Sequence, residues 1–509
     1  MRAMNQYRNL WLLLAIALLS ACASVPFDYP REETVAVTDT GETQLGREAA
    51  EWVNANDGLS GFYPLVHGHD ALGVRLRLLE MAEESVDIQY FLIKNDTAGQ
   101  LFAGAMLAAA DRGVRIRFLI DDVFTTFGDE GLSMLDHHEN IEVRLYNPIA
   151  RGGVTTINFL SDFKRANRRM HNKSFTADNQ VTVVGGRNIA DEYFELRTDA
   201  EFIDFDVVGI GPVAADISAE FDLYWNHESS VPMEAFYDPH DEDKLTAWRT
   251  QIEDFYGRAH ETVYASAVNS ELVMHLFDGV VPLHPATHTV ITDDPDKLIH
   301  EVDPTQQALV NHLSQIAVDA ESEIIVITPY FVPREPGIRF WGSLVDKGVR
   351  VIVLTNSLAS NNHTAVHSGY ARHRKDVIRA GVELYEARVD AVESTSDDGP
   401  DVLTLHTKAV VIDEKRLFAG SLNFDPRSID INAEMGVVID SPEVVADLRS
   451  GFLNSLNEFA YRVELDERGR LTWRGHVDGQ EVIETKEPQT SGWLRFKAFM
   501  LRIVPESQL

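Results

Sequence analysis

Two short stretches of the sequence repeat one arrangement of reactive side chains. Each has a histidine, a lysine two residues later and an aspartate five residues after the lysine. The residues are His171, Lys173 and Asp178 in the first copy and His406, Lys408 and Asp413 in the second. Histidine takes and gives protons near neutral pH, and lysine adds a positive charge. Each pair is therefore suited to bind and attack an anionic group.

A glycine-led segment follows each copy and adds hydrogen-bond donors. The segments are Gly185-Gly186-Arg187-Asn188 and Gly420-Ser421-Leu422-Asn423. Glycine lets backbone N–H groups approach an anion, and the two asparagines add side-chain donors. Along a strand, each histidine should point the same way as its lysine, whereas the aspartate falls on the other face or in the turn and is expected to support the motif. Two such half-sites would surround one phosphate without a metal ion.

The segments before the first copy alternate between helix and strand. Apolar spacing predicts helices over 71–85 and 99–112 and strands over 86–91, 114–120 and 141–146. Residues 147–170, which lack such spacing, are expected to form a loop. Alternation of this kind predicts helices packed on a mostly parallel or mixed sheet.

The second half of the chain repeats the first. A helix over 306–322 and a strand over 324–331 precede the second copy, and this strand ends in Tyr330-Phe331 as the earlier one ends in Tyr90-Phe91. An offset of 235 residues separates His171 from His406 and also Gly185 from Gly420. Duplication therefore predicts an α/β fold with two similar lobes, each a mixed β-sheet flanked by helices. The predicted lobes span 48–265 and 266–509, and the second includes a tail from 461 without an assigned role.

The N-terminal segment has the features of an export signal. Arg2 and Arg8 precede an apolar run over 10–19, which is shorter than the roughly 20 residues needed to cross a bilayer. Leu19-Ser20-Ala21-Cys22 resembles the lipobox of bacterial lipoproteins, in which the cysteine is acylated, for example with palmitate. Cys22 is the only cysteine of the chain and has no disulfide partner.

These features predict a membrane-anchored envelope protein. A signal peptide is expected over 1–21 and a tether over 22–47, with the lipid on Cys22. Ala23 and Ser24 stand where an aspartate would favour the inner membrane in many Gram-negative species. The outer membrane, on its periplasmic face, is therefore favoured.

The composition narrows the substrate class. The chain has 509 residues, of which 44% are hydrophobic, so it can form more than one packed core. Its 45 basic and 80 acidic residues give a net charge of −35, which repels nucleic acid unless a local basic patch prevails. This disfavours a nuclease, whereas a lipid phosphate held in a pocket stays compatible with the charge.

The duplicated motif resembles the signature of the phospholipase D superfamily, and the likeness covers essentially all of the mature chain. Within that superfamily the chain looks most like bacterial cardiolipin synthases. The similar segments are Arg168-Arg169-Met170-His171-Asn172-Lys173, Gly185-Gly186-Arg187-Asn188-Ile189-Ala190-Asp191-Glu192-Tyr193-Phe194 and Phe221-Asp222-Leu223-Tyr224-Trp225-Asn226. The resemblance implies that the active site lies at the lobe interface.

The resemblance also implies roles for the motif residues. One histidine attacks the phosphodiester to form a phosphohistidine, and the other protonates the departing alcohol and deprotonates the incoming one. The family usually uses the first-motif histidine as nucleophile, here His171. Residues expected to hold the phosphoryl oxygens are Lys173, Lys408, Asn188 and Asn423, with Ser421 nearby.

Glu434 matches an acidic position of the family that can orient a motif histidine. Its counterpart in the first lobe is either Asp204 or Asp206. The sequence leaves this choice open.

Four function hypotheses follow. The leading one is a phosphatidyltransferase that makes cardiolipin from phosphatidylglycerol and a second phospholipid. The nearest alternative is a hydrolytic phospholipase D that releases phosphatidic acid. An envelope nuclease is disfavoured by the charge and the anchor, and a non-catalytic lipid-binding protein is disfavoured because both motifs are complete. The oligomeric state stays undetermined.

Other candidate residues have two interpretations each. The basic cluster Lys164, Arg165, Arg168 and Arg169 is either a solvated loop or a rim that attracts phosphate. His363 and His367 have the spacing of metal ligands on a helix, but no cysteine or acidic ligand pattern accompanies them, so neither metal nor another cofactor is expected. The segment around His367, 365–370, resembles one that lines the pocket mouth in cardiolipin synthases.

Overall fold

The structure is a computed structural model of the chain. It describes residues 24–152, 155–197, 200–237, 241–300, 307–390, 402–477 and 479–509. The predicted signal peptide and the lipidation site at Cys22 lie outside the described residues.

The first half of the chain builds nine strands and ten helices among its described residues. The strands are β1 (Ser60–Leu65), β2 (Ser85–Tyr90), β3 (Arg115–Asp121), β4 (Ile141–Tyr146), β5 (Ser174–Ala177), β6 (Val181–Gly185), β7 (Glu201–Ile203), β8 (Asp206–Ile210) and β9 (Ser230–Pro232). The helices are α1 (Gln44–Ala55), α2 (Gly68–Met81), α3 (Thr97–Asp111), α4 (Gly128–Asp136), α5 (Thr155–Ser161), α6 (Phe163–Ala166), α7 (Pro212–Trp225), α8 (Glu242–Ala259), α9 (Val263–Val268) and α10 (Glu271–Phe277).

The second half repeats this pattern and adds a hairpin and a final helix. Its strands are β10 (His284–Thr292), β11 (Glu323–Ile327), β12 (Arg350–Asn356), β13 (Glu383–Ala387), β14 (Leu403–Leu405), β15 (Ala409–Ile412), β16 (Arg416–Gly420), β17 (Met435–Asp440), β18 (Ala460–Leu465), β19 (Leu471–Val477) and β20 (Gln480–Glu484). Its helices are α11 (Ala308–Val318), α12 (Arg334–Asp346), α13 (Thr364–Arg379), α14 (Pro426–Asp430), α15 (Pro442–Phe459) and α16 (Gly492–Leu501).

In the described part of the chain, 18 strands form one continuous mixed sheet. Pairing gives the order β9-β4-β3-β2-β5-β6-β8-β1 for the first lobe and β10-β17-β16-β15-β11-β12-β13-β18-β19-β20 for the second. Strands β2, β3 and β4 are parallel to one another, as are β11, β12 and β13. The lobes join edge to edge through β1 and β10. The predicted α/β class with two similar lobes of mixed sheet is confirmed.

The register of the two lobes corrects one detail of the predicted repeat. Ile324 pairs with β15 as Val86 pairs with β5. Thr328, rather than Tyr330, is therefore the counterpart of Tyr90. The Tyr-Phe pairs do not occupy equivalent positions, because they are 240 residues apart whereas the equivalent strand residues Val86 and Ile324 are 238 residues apart.

Helix ends follow local sequence signals. Asp96 caps α3 by accepting the Gly99 N–H at 3.1 Å. Gly113 and Gly348 stand just past α3 and α12 with φ of 100° and 92°, a conformation that glycine adopts at little cost. The expectation of a plain loop over 147–170 is wrong in part, because α5 and α6 lie there. These helices have only 7 and 4 residues, too few to give a periodic signal.

Three main apolar cores hold the architecture together. One packs the first-lobe sheet against its helices, and another does so in the second lobe. A further core combines side chains from both lobes, including Val184 and Phe205 with Ile325 and Leu417. Removing such surface from water stabilises the packed state by about 25 cal/mol per Å². The shared core therefore fixes the position of one lobe relative to the other.

Part of the segment predicted as a tether is docked on the first lobe. The carbonyl of Glu32 accepts from Arg144 at 2.7 Å, and that of Thr34 accepts from Arg117 at 2.9 Å. Asp222 accepts the backbone N–H of Ala36 at 2.9 Å. The buried guanidinium groups need such acceptors, since an unpaired buried donor is costly.

No helix within the described ranges combines the length and the apolar character needed to cross a membrane.

Candidate active site

Each motif histidine is held by the backbone of the opposite lobe. The N–H of His171 donates to the Ala433 carbonyl at 2.8 Å, and that of His406 donates to the Ile203 carbonyl at 2.7 Å. The parallel pair β7–β14 and the Met170–Ala433 bridge extend these contacts. Both motifs therefore meet at the lobe interface.

The side chains cross between the lobes in the same way. His171 Nδ1 lies 2.8 Å from Glu434 Oε2, and His406 Nδ1 lies 2.6 Å from Asp204 Oδ2. Asp206 instead pairs with Arg75 at 2.8 Å. The choice that the sequence left open thus falls on Asp204. When Nδ1–H donates to a carboxylate, Nε2 carries the lone pair and is free to act on a substrate.

Both histidines are buried, and their charge states follow from that. Burial lowers the pKa of His171 to about 4 and that of His406 to about 3. Burial alone would raise the pKa of Glu434, but the charge of His171 and its hydrogen bond hold it below the ordinary value. Burial alone would also raise the pKa of Asp204, but the charges of Lys408 and His406 hold it below the ordinary value. At neutral pH the site thus has two neutral histidines, each beside a carboxylate anion.

The lysines lie close to their own histidines. Lys173 Nζ donates to the His171 carbonyl at 2.5 Å. Lys408 Nζ lies 2.7 Å from His406 Nδ1 and 3.3 Å from its Nε2. A protonated Nδ1 donates to Asp204, whereas an unprotonated Nδ1 accepts from Lys408. The two hydrogen bonds therefore cannot form at the same time. Lys408 therefore competes with Asp204 for the tautomer of this ring.

Burial also makes the lysines easy to deprotonate. It lowers the pKa of Lys173 to about 7 and that of Lys408 to about 8. Lys408 lowers the pKa of Lys173, and each lysine also lowers the pKa of the histidine in the other motif. The cations of both motifs thus belong to one site. A bound phosphate anion would favour their charged forms.

The asparagines of the glycine-led segments are buried beside the motifs. Asn188 Nδ2 donates to the Tyr193 hydroxyl at 2.9 Å. Among the described residues, the buried Oδ1 atoms of Asn188 and Asn423 have no hydrogen-bond partner. Buried amide groups are usually paired, so these two side chains retain bonding capacity for a ligand.

The two halves differ beside the carboxylates. Ser421 donates to Glu434 Oε2 at 2.5 Å. At the equivalent Gly186, an added Cβ would lie 2.1 Å from Asp204 Oδ1. The second lobe thus combines a glutamate, Glu434, with Ser421. The first lobe combines a shorter aspartate, Asp204, with Gly186.

The motif aspartates lie in the turns after their strands. Asp178 accepts the N–H groups of Glu84 and Ser85, each at 2.9 Å. Asp413 does the same for the equivalent segment, including Ser322 N–H at 2.7 Å. Both adopt positive φ, 48° and 54°. Their described contacts hold the start of β2 and of β11 and involve neither histidine.

Aromatic rings that the sequence did not single out surround the histidines. Phe91 meets His171 edge-on with centroids 4.9 Å apart. His406 stacks on Phe202 at 5.2 Å, and Tyr193 meets it edge-on at 5.2 Å. These rings exclude water from both imidazoles. No spacing rule marked Phe202, although it lies two residues before Asp204.

Most side chains of the basic cluster ahead of His171 bond to other groups of the protein. Arg169 is buried and pairs with Asp121 at 3.0 Å. Arg165 donates to the Pro148 carbonyl at 2.8 Å, and Arg168 donates to the Lys297 carbonyl at 2.8 Å. These contacts brace the loop that leads into the motif.

His363 and His367 do not face a shared ligand. His363 stands at the start of α13, where its ring meets Tyr330 edge-on at 5.6 Å. His367 is buried, with Nε2 3.1 Å from Arg374, which pairs with Glu487 at 3.0 Å. Within the described ranges, no group of three or more His, Cys, Asp or Glu side chains is arranged to hold a metal ion.

An apolar cleft opens beside the Asn423 turn. Its volume is about 280 Å³. Its lining includes Leu422 and Phe424 next to Asn423, and Phe340 and Trp341 of α12. Neither motif histidine belongs to its lining.

Comparisons with known proteins agree with this geometry. A family model described as "Cardiolipin synthase, PLD-like domain" matches residues 76–225 and 313–456. Cardiolipin synthase C of Escherichia coli K12 is 40% identical over 460 residues, which cover 88% of this chain and 96% of that protein. An uncharacterised protein of Helicobacter pylori 26695 is 28% identical over 507 residues, covering 97% of this chain and 99% of its own.

A solved structure shares the fold at low sequence identity. Phosphatidylserine synthase of Haemophilus influenzae Rd KW20 superposes with a TM-score of 0.54 at 12% identity, over 82% of this chain and 92% of that one. The likeness concerns the fold alone. Together with the family match, it accounts for the two lobes that meet at one site. The chain belongs to the cardiolipin synthase family of PLD-like domains and is a phosphatidyltransferase of the phospholipase D type.

Proposed function

We propose that the chain makes cardiolipin from phosphatidylglycerol and a second phospholipid, through a phosphohistidine intermediate. The observation that carries the proposal is the crossed pair of neutral histidines, His171 on Glu434 and His406 on Asp204. The named activity of the 40% identical relative supports the choice of product.

In the first step, His171 Nε2 attacks the phosphorus of the donor phospholipid, which is either phosphatidylglycerol or the second phospholipid. A P–N bond forms, the P–O bond to the donor's headgroup breaks, and His406 delivers a proton to the departing headgroup oxygen. The negative charge of the bound phosphodiester raises the pKa of the nearby imidazoles and so favours a protonated His406. Glu434 stabilises the positive charge that His171 acquires.

In the second step, His406 removes the proton from a headgroup glycerol hydroxyl of phosphatidylglycerol, the acceptor. The resulting oxygen attacks phosphorus, the P–N bond breaks, and His171 regains its lone pair. The choice of His171 as nucleophile follows the family pattern. The contacts of Lys408 with both ring nitrogens of His406 support an acid and base role for that histidine.

Four further side chains would bind the phosphoryl oxygens: Lys173, Lys408, Asn188 and Asn423. Their burial beside the motif histidines supports this assignment, and the asparagines would donate through Nδ2, since an amide oxygen only accepts. Ser421 is proposed to keep Glu434 ionised, and Asp178 and Asp413 to hold the strands that carry the motifs. None of these three needs to touch the substrate.

The alternative outcome is hydrolysis, in which water takes the place of the acceptor phosphatidylglycerol. The chemistry is otherwise identical and yields phosphatidic acid. The named activity of the 40% identical relative favours a lipid acceptor over water. The net charge of −35 argues against a nucleic acid substrate.

We further propose that acylation of Cys22 anchors the protein to a membrane of the cell envelope, with the outer membrane favoured. The lipobox-like sequence and the single cysteine support this proposal.

Replacing either motif histidine with alanine should lower the transfer rate by about 10⁴-fold or more, because each acts in both steps. Circular dichroism should show an intact fold. The exposed His137 offers a matched control, and His137→Ala should retain parental activity. Near-parental turnover by either motif variant would contradict the two-histidine mechanism.

The two variants should differ with a substrate whose leaving group needs no proton. His406→Ala protein should still accumulate an acid-labile phosphohistidine with a nitrophenyl phosphodiester. His171→Ala protein should accumulate none. Label in the His171→Ala protein alone would reverse the two roles.

The affinity for a soluble, non-cleavable phosphodiester analogue should fall as pH rises above about 7, since Lys173 and Lys408 lose their charges near pKa values of about 7 and about 8. Below that pH both lysines are protonated, so affinity should level off. Titration calorimetry can follow this change. Lys173→Arg should reduce the pH dependence because arginine stays charged. A constant affinity from about pH 6 to about pH 9 would show that neither lysine supplies the charge.

The acceptor is tested by incubating the purified protein with phosphatidylglycerol, with and without phosphatidylethanolamine, and resolving the products by mass. Cardiolipin is expected, because the acceptor is proposed to be a lipid hydroxyl. Phosphatidylglycerol is the only one of the two lipids with a free hydroxyl, so a gain in cardiolipin on adding phosphatidylethanolamine would identify the latter as the phosphatidyl donor. Phosphatidic acid as the sole lipid product would reject the synthase proposal and leave the histidine mechanism standing.

Cells grown with labelled palmitate should incorporate label into the parental protein and not into the Cys22→Ser protein, since the thiol is the proposed acceptor. An immunoprecipitate resolved on a gel reports the label. Equal labelling of both proteins would exclude Cys22 as the site.

A further inference from the structure

Helix α16 and the turn after it present an unusual apolar surface. Large side chains that would normally be buried are exposed along it. They are Trp493 at 72% exposure, Phe496 at 51%, Phe499 at 62%, Met500 at 54% and Ile503 at 88%. Exposed apolar surface on this scale indicates a binding face.

The charge of this segment is opposite to that of the whole protein. Residues 491–505 include Arg495, Lys497 and Arg502 and no acidic residue, whereas the chain carries −35. Aromatic and aliphatic side chains beside lysine and arginine are typical of helices that lie in the plane of a membrane interface. Tryptophan in particular is enriched at that depth. The complementary partner is therefore an anionic lipid surface.

The helix is fixed to the folded body. Ala498, within the helix, is buried. Ser491 caps the start of the helix by accepting the Leu494 N–H at 3.1 Å. After its end, Arg372 of α13 donates to the Val504 carbonyl at 3.1 Å and pairs with Glu506 at 3.0 Å. The apolar face cannot turn inward without breaking these contacts.

The same segment reaches the loops that carry the active site. Asn167 donates to Gln508 Oε1 at 3.0 Å, and the N–H of Arg427 donates to the Leu509 carbonyl at 2.8 Å. Asn167 lies four residues before His171, and Arg427 lies four residues after Asn423. Ile503 is five residues from Gln508, so the two are at most about 18 Å apart.

A smaller apolar patch of the first lobe adjoins this region. Ile157, Leu160 and Phe163 of α5 and α6 are exposed, and so is Phe124. Phe163 lies four residues before Asn167, which bridges to Gln508. Both lobes thus expose apolar side chains near the loops that lead to the site.

We propose that residues 491–505 form an interfacial membrane-docking surface. The helix lies flat on an anionic bilayer, inserts its aromatic side chains between headgroups and places the lobe interface next to the lipid. This contact is separate from acylation at Cys22, and it does not depend on which lipid reaction the site performs.

The test uses the full chain with Cys22→Ser, so that a single introduced cysteine can carry an environment-sensitive nitrobenzoxadiazole dye. Phe496→Cys and Ile503→Cys place the dye on the proposed surface. Ile483→Cys on β20 is the matched control, exposed at 53% and outside this segment. Vesicles contain either phosphatidylcholine alone or phosphatidylcholine with phosphatidylglycerol.

With anionic vesicles, dye at 496 and 503 should brighten about threefold or more as it enters the apolar layer, and dye at 483 should not. The local readout reports insertion at each position even where another segment contacts the lipid. Vesicle-bound protein with unchanged dye at 496 and 503 would overturn the proposal. Equal brightening at 483 would also overturn it, since that would indicate general adsorption.

A second pair of variants separates docking from bulk charge. Lys497→Gln with Arg502→Gln should weaken binding to anionic vesicles about 30-fold, since each basic residue near such a surface contributes about a factor of five. The control pair, Arg339→Gln with Lys415→Gln, removes equally many exposed charges elsewhere and should change binding little. If both double variants lost vesicle affinity equally, a membrane partner would be rejected. The same would follow if the parental protein bound an acidic protein strongly and did not bind the anionic vesicles.

Discussion

Each motif histidine depends on a carboxylate that the other lobe supplies, and this crossed bonding is the constraint on which the site is built. His171 reaches Glu434, and His406 reaches Asp204, over distances of 2.8 and 2.6 Å. A buried anion is costly unless a partner stands within hydrogen-bond reach. The lobes therefore have to be held in a fixed relation. The shared apolar core, the β1–β10 edge and the β7–β14 pair provide that relation.

The near symmetry of the halves makes their differences informative. Ser421 adds a hydrogen bond to Glu434, while Gly186 leaves room for Asp204. Lys408 contacts the ring of its histidine, whereas Lys173 donates to the backbone carbonyl of His171. Two copies of one motif have thus become two different environments. The proposed two-step displacement would use such a difference, because one histidine would hold the phosphoryl group while the other moves protons.

The net charge of the protein and its local basic groups act differently on anionic partners. The net charge of −35 keeps the body away from polyanions, including anionic lipid. The cations that we propose to bind phosphate groups are either buried, as Lys173 and Lys408 are, or gathered in the segment 491–505. Screening limits the reach of the distant acidic charges to about 8 Å at physiological salt. A small basic and aromatic surface can therefore decide which side of an acidic protein faces the membrane.

The sequence by itself determined the duplicated chemistry and the α/β class. Two histidine–lysine pairs at one offset require two similar units, and alternating helices and strands require a layered sheet, because both signals are local along the chain. Only the tertiary structure decided which side chains form contacts between residues that lie far apart in sequence. The choice of Asp204 over Asp206, the aromatic walls at Phe91 and Phe202 and the internal role of Arg169 depend on contacts between residues far apart in sequence. Spacing along one chain says nothing about such contacts, since they are fixed by how two packed lobes meet.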